Sequence, residues 1–122
     1  MPELDEIVLT LPRDREFHRV AHLVLGGLAV RLDLTIEMLE DLQVALGAIL
    51  DRAAKDGDVT VTMVLRGGVL ETCVGPVDLH EELGRDDGED DGLSLRRVLW
   101  TVVDDVELDG DSVRLTKRVS DG

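Results

Sequence analysis

The chain has 122 residues and a mass of 13.4 kDa, a size that accommodates one domain with a single core. Its 13 basic and 27 acidic residues give a net charge of -14, so long-range repulsion opposes binding to a nucleic-acid backbone or an anionic membrane. Phe17 and Trp100 are the only aromatic residues, too few to stack the bases of a single strand, so the sequence predicts no nucleic-acid and no membrane partner.

The chain begins with a predicted strand and a predicted helix. Residues 6–11 (EIVLTL) are apolar and β-branched, and Pro12 ends the strand. Asp14 is the predicted N-cap of helix one, which extends to Arg31. Apolar residues three or four positions apart predict the buried stripe of this helix: Phe17, Val20, Val24, Leu28 and Leu32.

Two adjacent glycines, Gly26 and Gly27, interrupt helix one. Each glycine in a helix interior costs roughly 1 kcal/mol relative to alanine. We therefore expect another part of the protein to pack closely against the helix at this point.

Helix two follows a turn at residues 33–34, and Thr35 is its predicted N-cap. Acidic residues occupy its first turns, where the helix dipole favours them: Glu37, Glu40 and Asp41. Apolar residues at helical spacing predict its buried stripe: Leu39, Leu42, Leu46, Ile49 and Ala53.

The hydrophobic period then changes to two, which is typical of strands. Residues 59–65 and 69–74 predict the two strands of a hairpin, joined by Gly67 and Gly68. The dipeptide Gly75-Pro76 ends the second strand.

The segment 78–91 is the compositionally biased part of the chain. Like charges at its density repel, so we expect a mobile lid loop. It contains one basic residue, Arg85, and eight acidic residues, which are Asp78, Glu81, Glu82, Asp86, Asp87, Glu89, Asp90 and Asp91.

The last elements are a helix and two strands. Gly92 opens helix three, and residues 105–108 and 112–119 predict two strands around a turn at residues 109–111. The predicted inner face of helix three is Leu95, Val98, Leu99, Val102 and Val103.

The order β-α-α-β-β-α-β-β predicts an α+β fold, a two-layer sandwich in which helices cover one face of an antiparallel-rich sheet. No linker interrupts the pattern, so residues 1–122 are expected to form a single domain.

Four features predict a cytoplasmic bacterial protein. The N-terminus is acidic where a signal peptide would be basic, and the longest apolar run, residues 23–30, is too short to span a bilayer. The single cysteine, Cys73, cannot form an internal disulfide. Arginine outnumbers lysine 11 to 2, a bias typical of GC-rich bacterial genomes.

Two metal-binding patterns are incomplete. His18 and His22 lie one helical turn apart, but neither a neighbouring glutamate nor a nearby cysteine completes a zinc site. The acidic segment begins like a calcium-binding loop at Asp87, but Val98 stands where a bidentate carboxylate is required. The sequence therefore predicts no metal site.

The order of several short motifs carries a family resemblance. The first motif is a strand followed by Pro12 and a helix. The others are Leu32-Asp33-Leu34-Thr35, Leu39-Glu40-Asp41-Leu42-Gln43-Val44-Ala45-Leu46, Gly75-Pro76 and Gly92-Leu93-Ser94-Leu95. A helix, an acidic strand and a basic strand follow the last of them. Together they resemble the anti-sigma-factor serine kinases of the Bergerat-fold, or histidine-kinase-like (GHKL), ATPases. The resemblance covers nearly the whole chain and implies the same α+β fold.

The family's nucleotide site carries over poorly. The resemblance implies a catalytic glutamate and a magnesium-binding asparagine on helix two, where this chain has Ala48 and Arg52. It implies an adenine-binding aspartate where this chain has Cys73. In the second glycine box only one glycine remains, and Glu89, Asp90 and Asp91 would repel a triphosphate. The vestigial pocket positions are Ala48, Arg52, Cys73, Gly75, Gly92 and Leu93.

Structural roles remain open for the same residues. Asp90 and Asp91 suit a helix cap, Cys73 suits a small buried position in a strand, and Arg52 suits the C-terminal end of a helix. None of these roles requires a nucleotide.

The sequence thus predicts no catalytic residue and no cofactor, and the resemblance implies a degenerate regulator that binds a sigma factor or an anti-sigma antagonist. The alternative is an active kinase that uses ATP and magnesium to phosphorylate its antagonist. A homodimer, or a heterodimer with a paralogous kinase, is a further expectation. We expect the binding surface on helices one and two and the N-terminal strand.

Overall fold

The computed structural model describes residues 5–12, 15–31, 34–52, 57–77 and 95–119. Within these residues the predicted order of strands and helices is confirmed. The elements are β1 (Asp5–Pro12), a 3-10 turn (Arg15–Phe17), α1 (His18–Arg31), α2 (Ile36–Arg52), β2 (Asp58–Arg66), β3 (Val69–Gly75), α3 (Leu95–Val102), β4 (Asp105–Asp109) and β5 (Ser112–Arg118). The predicted lid loop 78–91 and the predicted cap Asp14 lie outside the described residues.

The described strands form an antiparallel sheet in the order β1-β2-β3-β5-β4. Val61 of β2 pairs with Leu9 of β1 and with Val74 of β3, so apolar residues align across the sheet on one face. Because side chains alternate between faces, this inner face can be largely apolar. Its buried residues are Leu11, Val59, Val61, Met63, Leu70, Val74, Val113 and Leu115.

The helices cover this inner face, and α2 is the central one. It contacts both α1 and α3, and its residues Leu42, Ala45, Leu46, Ile49 and Leu50 all belong to the buried core. The predicted stripe of helix two is therefore confirmed at Leu42, Leu46 and Ile49, while Leu39 is half-buried against the same core. Ala53 lies outside the described residues.

Two local predictions are confirmed by backbone geometry. Thr35 caps α2, because its Oγ1 accepts a hydrogen bond from the Met38 backbone N at 3.1 Å. Gly67 and Gly68 have φ angles of 60° and 78°, the left-handed values that a two-residue hairpin turn requires.

The predicted stripe of helix one is confirmed at Leu28 and wrong at Val20. Phe17 packs partly buried against the core, Val24 is half-buried, and Leu32 lies outside the described residues. Val20 is 40 % exposed, and the buried residues of α1 are His18, Ala21, Leu25, Leu28 and Ala29. Only Leu28 belongs to both sets. The error has a physical cause: α1 is apolar on two faces, so a helical period alone cannot say which face is buried.

The expected close approach at Gly26 and Gly27 is also wrong within the described part of the chain. A Cβ built on either residue would meet no atom within 4 Å. Packing inside the described protein therefore gives no reason for either glycine.

We predict that Gly26→Ala raises the free energy of unfolding by about 0.5–1 kcal/mol, because alanine has less freedom to lose and the added methyl has room. Urea denaturation followed by circular dichroism measures this. Gly75→Ala is the control with the opposite sign, since its Cβ would collide with Ser112 Oγ and lie 3.1 Å from the Asp111 carbonyl oxygen. A destabilised Gly26→Ala protein would contradict the prediction.

Candidate functional site

The two helix positions of the implied nucleotide site lie on α2. Ala48 is half-buried and packs against the hydrophobic core, next to the fully buried Ile49. Its methyl group offers neither a general base nor a metal ligand. Arg52 is the last residue of α2. The helix therefore presents apolar surface at the position where the resemblance implies a catalytic carboxylate.

Cys73 lies on the outer face of the sheet. It pairs in register with Thr62 of β2 and Arg114 of β5, whose side chains share that face. Burial raises the pKa of the Cys73 thiol above its ordinary value, the nearby Arg114 guanidinium partly lowers it, and the carboxylates of Glu71 and Asp109 raise it. The thiol is therefore held protonated.

The structure does not bring Cys73 and Ala48 together, because the helices cover the opposite face of the sheet. The polar residue of β3 that does face the helices is Thr72, which is 4 % exposed. Within the described residues its Oγ1 has no hydrogen-bond partner. Strand alternation counted from Val74 could have found it, because Thr72 shares the parity of the apolar inner-face residues.

Gly75 has a local packing role. It lies at the end of β3 beside the β4–β5 turn, where a side chain would collide with Ser112. The Val77 backbone N donates to the Asp111 carbonyl oxygen at 2.7 Å in the same place. Gly92 and Leu93, the remaining pocket positions, lie outside the described residues.

Ala48 and Cys73 do not fit the ATP molecule and magnesium ion that the resemblance implies at this site. Ala48 supplies no carboxylate, and Cys73 faces away from the helices. Among the residues that the structure describes, no three His, Cys, Asp or Glu side chains are grouped as metal ligands. The two described pocket positions Ala48 and Cys73 thus differ in chemistry from the residues that the resemblance implies.

Lys117 links α2, α3 and β5, a role that the sequence analysis missed. Its Nζ donates to the Val102 carbonyl oxygen at 2.8 Å and lies 3.3 Å from Asp41 Oδ2. The lysine has the same strand parity as Val113 and Leu115, so it points toward the helices. The same strand parity in the sequence could have predicted that Lys117 points toward the helices.

His18 and His22 are part of the α1–α2 contact. His18 Nδ1 lies 3.3 Å from Asp51 Oδ1, and its Nε2 is buried without a partner among the described residues. A Cβ built on Gly47 of α2 would lie 3.4 Å from His22 Nε2, so this imidazole sits directly over α2. Both histidines thus pack between helices.

The helices expose apolar side chains and segregated charge. The exposed large apolar residues on the helices are Val20, Leu23, Val30, Ile36, Val44 and Trp100. The α1 and α3 sequences contain arginines and no acidic residue, whereas the α2 sequence between them contains Glu37, Glu40, Asp41 and Asp51. Exposed apolar residues mark protein interaction sites where they form a contiguous patch.

We predict that Cys73 reacts with a disulfide reagent at pH 8 about threefold or more slowly than an unstructured thiol, because its raised pKa lowers the thiolate fraction. Arg114→Ala should slow the reaction further by removing the charge that favours the thiolate. Arg118→Ala is the matched control, since Arg118 pairs with Val69 and is no cause of the shift. Reaction as fast as the free thiol would contradict this assignment.

None of the helices in the described ranges is long and apolar enough to cross a membrane.

No protein-family model matches the chain. Curated relatives do: a protein named serine-protein kinase RsbW from Listeria monocytogenes is 32% identical, over 96% of this chain and 89% of the relative. A protein of the same name from Listeria innocua is 31% identical over the same shares.

The fold has a solved counterpart. The crystal structure of the RsbU and RsbW domains of Rv1364c from Mycobacterium tuberculosis matches with a TM-score of 0.69 at 17% identity, over 94% of this chain and 32% of that longer chain. This likeness shows a shared fold, and the curated relatives show the lineage. The chain belongs to the RsbW serine-protein kinase family, the anti-sigma-factor kinases of the histidine-kinase-like ATPase fold.

Proposed function

We propose that this chain is a catalytically degenerate anti-sigma regulator that acts in the cytoplasm by binding a sigma factor or its antagonist. One observation carries the proposal: the residue at the implied catalytic position, Ala48, is part of the packed surface of α2 rather than a polar group. Membership of a kinase family supplies the class of partner.

The proposed loss of nucleotide-site groups extends beyond Ala48. A catalytic base must lie within hydrogen-bond reach of the hydroxyl it activates, and a methyl group can take no proton. Cys73 faces the other side of the sheet from α2, so it cannot take over an adenine contact beside Ala48. We therefore propose that no ATP and no magnesium ion are required for function.

Binding remains as the function that the surface supports. The net charge of -14 steers basic partners toward the molecule, and the exposed acids of α2 supply a local focus for them. Ile36 and Val44, which are 74 % and 49 % exposed, lie on the same helix and can supply apolar contacts. Apolar contacts would carry affinity, while the charges set association rate.

The alternative is an active kinase, and thermal unfolding separates the two. We predict that millimolar magnesium-ATP leaves the melting temperature unchanged relative to magnesium chloride at equal ionic strength. A ligand present at 100 times its dissociation constant would add about 2.7 kcal/mol of stability, which is several degrees for a domain of this size. A shift of that size would reject the degenerate-site proposal.

The partner proposal has its own test. We predict that the chain, used as bait in extracts of the organism that encodes it, recovers a sigma factor, an anti-sigma antagonist or a paralogous kinase identified by mass spectrometry. Recovery of none of these above background would reject it.

A matched pair of variants locates the surface. Glu40→Lys and Glu71→Lys change net charge equally, but exposed Glu40 lies on α2 and exposed Glu71 on the outer face of the sheet. Glu40→Lys should slow association with the recovered partner more than Glu71→Lys does. Equal effects would mean that only the net charge acts.

A further inference from the structure

A small cleft lies over the β2–β3 hairpin on the outer face of the sheet. Its volume is about 80 Å³, and it is lined by Val64 and Arg66 of β2 and by Val69 and Glu71 of β3. The helices pack against the opposite face, so the cleft is separate from Ala48 and from the acidic surface of α2. Because one water needs only about 10–15 Å³ and a drug-sized ligand needs about 300 Å³ or more, the cleft suits a compact group of several heavy atoms.

The four lining residues form a square of alternating chemistry. The strand register places Val64 opposite Glu71 and Arg66 opposite Val69. The two charged residues therefore occupy one diagonal of the square, and the two valines occupy the other. The charged side chains are exposed and the valines are half-buried, so two opposite charges flank an apolar floor.

Arg66 and Glu71 do not pair directly with each other. Diagonal neighbours on one face of an antiparallel pair lie about 7–8 Å apart, which is within the reach of an arginine side chain. Among the residues that the structure describes, however, no ion pair joins the Arg66 guanidinium to the Glu71 carboxylate. Since an exposed ion pair adds little stability, a ligand that keeps these two charges apart gives up little.

The end of the hairpin that carries these residues is held in place. Gly67 and Gly68 form the two-residue turn directly beyond Arg66 and Val69. The Val119 backbone N donates to the Gly68 carbonyl oxygen at 2.9 Å, which ties the turn to the residue that follows β5. The paired strands thus present both charges at a fixed separation, and preorganisation of this kind lowers the cost of binding a ligand.

The charges of the cleft select the class of ligand. Glu71 and the net charge of -14 would repel a simple anion, and Arg66 would repel a simple cation. A metal ion would meet one carboxylate, and the described residues contain no group of three His, Cys, Asp or Glu side chains that could hold it. A small zwitterion with an apolar side chain meets none of these penalties.

We propose that this cleft binds a free apolar α-amino acid. The carboxylate of the ligand accepts two hydrogen bonds from the planar guanidinium of Arg66, and its ammonium group donates to the carboxylate of Glu71. Its side chain lies over Val64 and Val69, which removes apolar surface from water. Because the cleft lies on the surface and both ion pairs are solvated, the dissociation constant should be roughly 1 mM.

An NMR titration of the ¹⁵N-labelled full chain with L-leucine tests the inference. At about 150 mM salt and about pH 6.5, where the α-amino group is protonated, L-leucine should cause saturable shifts that are largest at the backbone amides of residues 64–71.

Two analogues of L-leucine separate a free amino acid from the end of a peptide. N-acetyl-L-leucine keeps only the carboxylate, as a C-terminal residue does, and L-leucinamide keeps only the ammonium group, as an N-terminal residue does. Each should bind roughly threefold or more weakly than L-leucine, because it loses one of the two ion pairs. Equal or tighter binding of either analogue would overturn the assignment to a zwitterion.

Matched variants locate the site. Arg66→Gln and Glu71→Gln should each weaken L-leucine binding roughly threefold or more. Arg118→Gln and Glu6→Gln are the controls with the same charge changes, because these exposed residues lie on the same face beside the cleft but do not line it. Circular dichroism confirms folding of each variant, which is expected because all four side chains are exposed.

Two results would overturn the inference: no saturable shifts in the wild type, or an equal loss of binding in the control variants. The titration involves no nucleotide and no partner protein, so its failure leaves the proposed function standing.

Discussion

Packing of α2 into the hydrophobic core, with the other two described helices on either side, is the interaction on which the rest of the structure depends. Ala45 and Ile49 of this helix are fully buried, and both α1 and α3 contact it. A helix with this role tolerates few polar groups on its inner side, because a buried polar group costs free energy unless it is hydrogen-bonded. Ala48 extends that apolar surface, so the substitution that removes the implied catalytic group also suits the core.

The two faces of the sheet have separate chemistry. The inner face is apolar and carries the buried Thr72, whereas the outer face carries Cys73 among charged side chains, including the ion pair between Arg114 and Glu107. A motif aligned along the sequence can therefore place a residue one position away from the face that its role requires. In this chain that single position separates Cys73 from the helices.

For the surface that the helices expose, the local distribution of charge matters more than the net charge of the molecule. The acids of the described helices are concentrated on α2, while α1 and α3 carry arginines. The same molecule therefore carries an acidic surface on α2 beside basic, partly apolar surfaces on α1 and α3. Because the Debye length is about 8 Å at physiological ionic strength, neighbouring helices present distinct fields to an approaching protein.

The sequence by itself determined the order of elements, the hairpin turn at Gly67 and Gly68, and the Thr35 cap, because these depend on local backbone chemistry and on the hydrophobic period. The family resemblance also predicted which nucleotide-site residues are replaced. Only the tertiary structure decided which side of α1 is buried, which face of the sheet holds Cys73, and that Lys117 reaches Asp41. Those outcomes depend on how elements distant in the sequence pack together. A helix that is apolar on two faces has the same hydrophobic period whichever face is buried, so only its packing against the other elements decides.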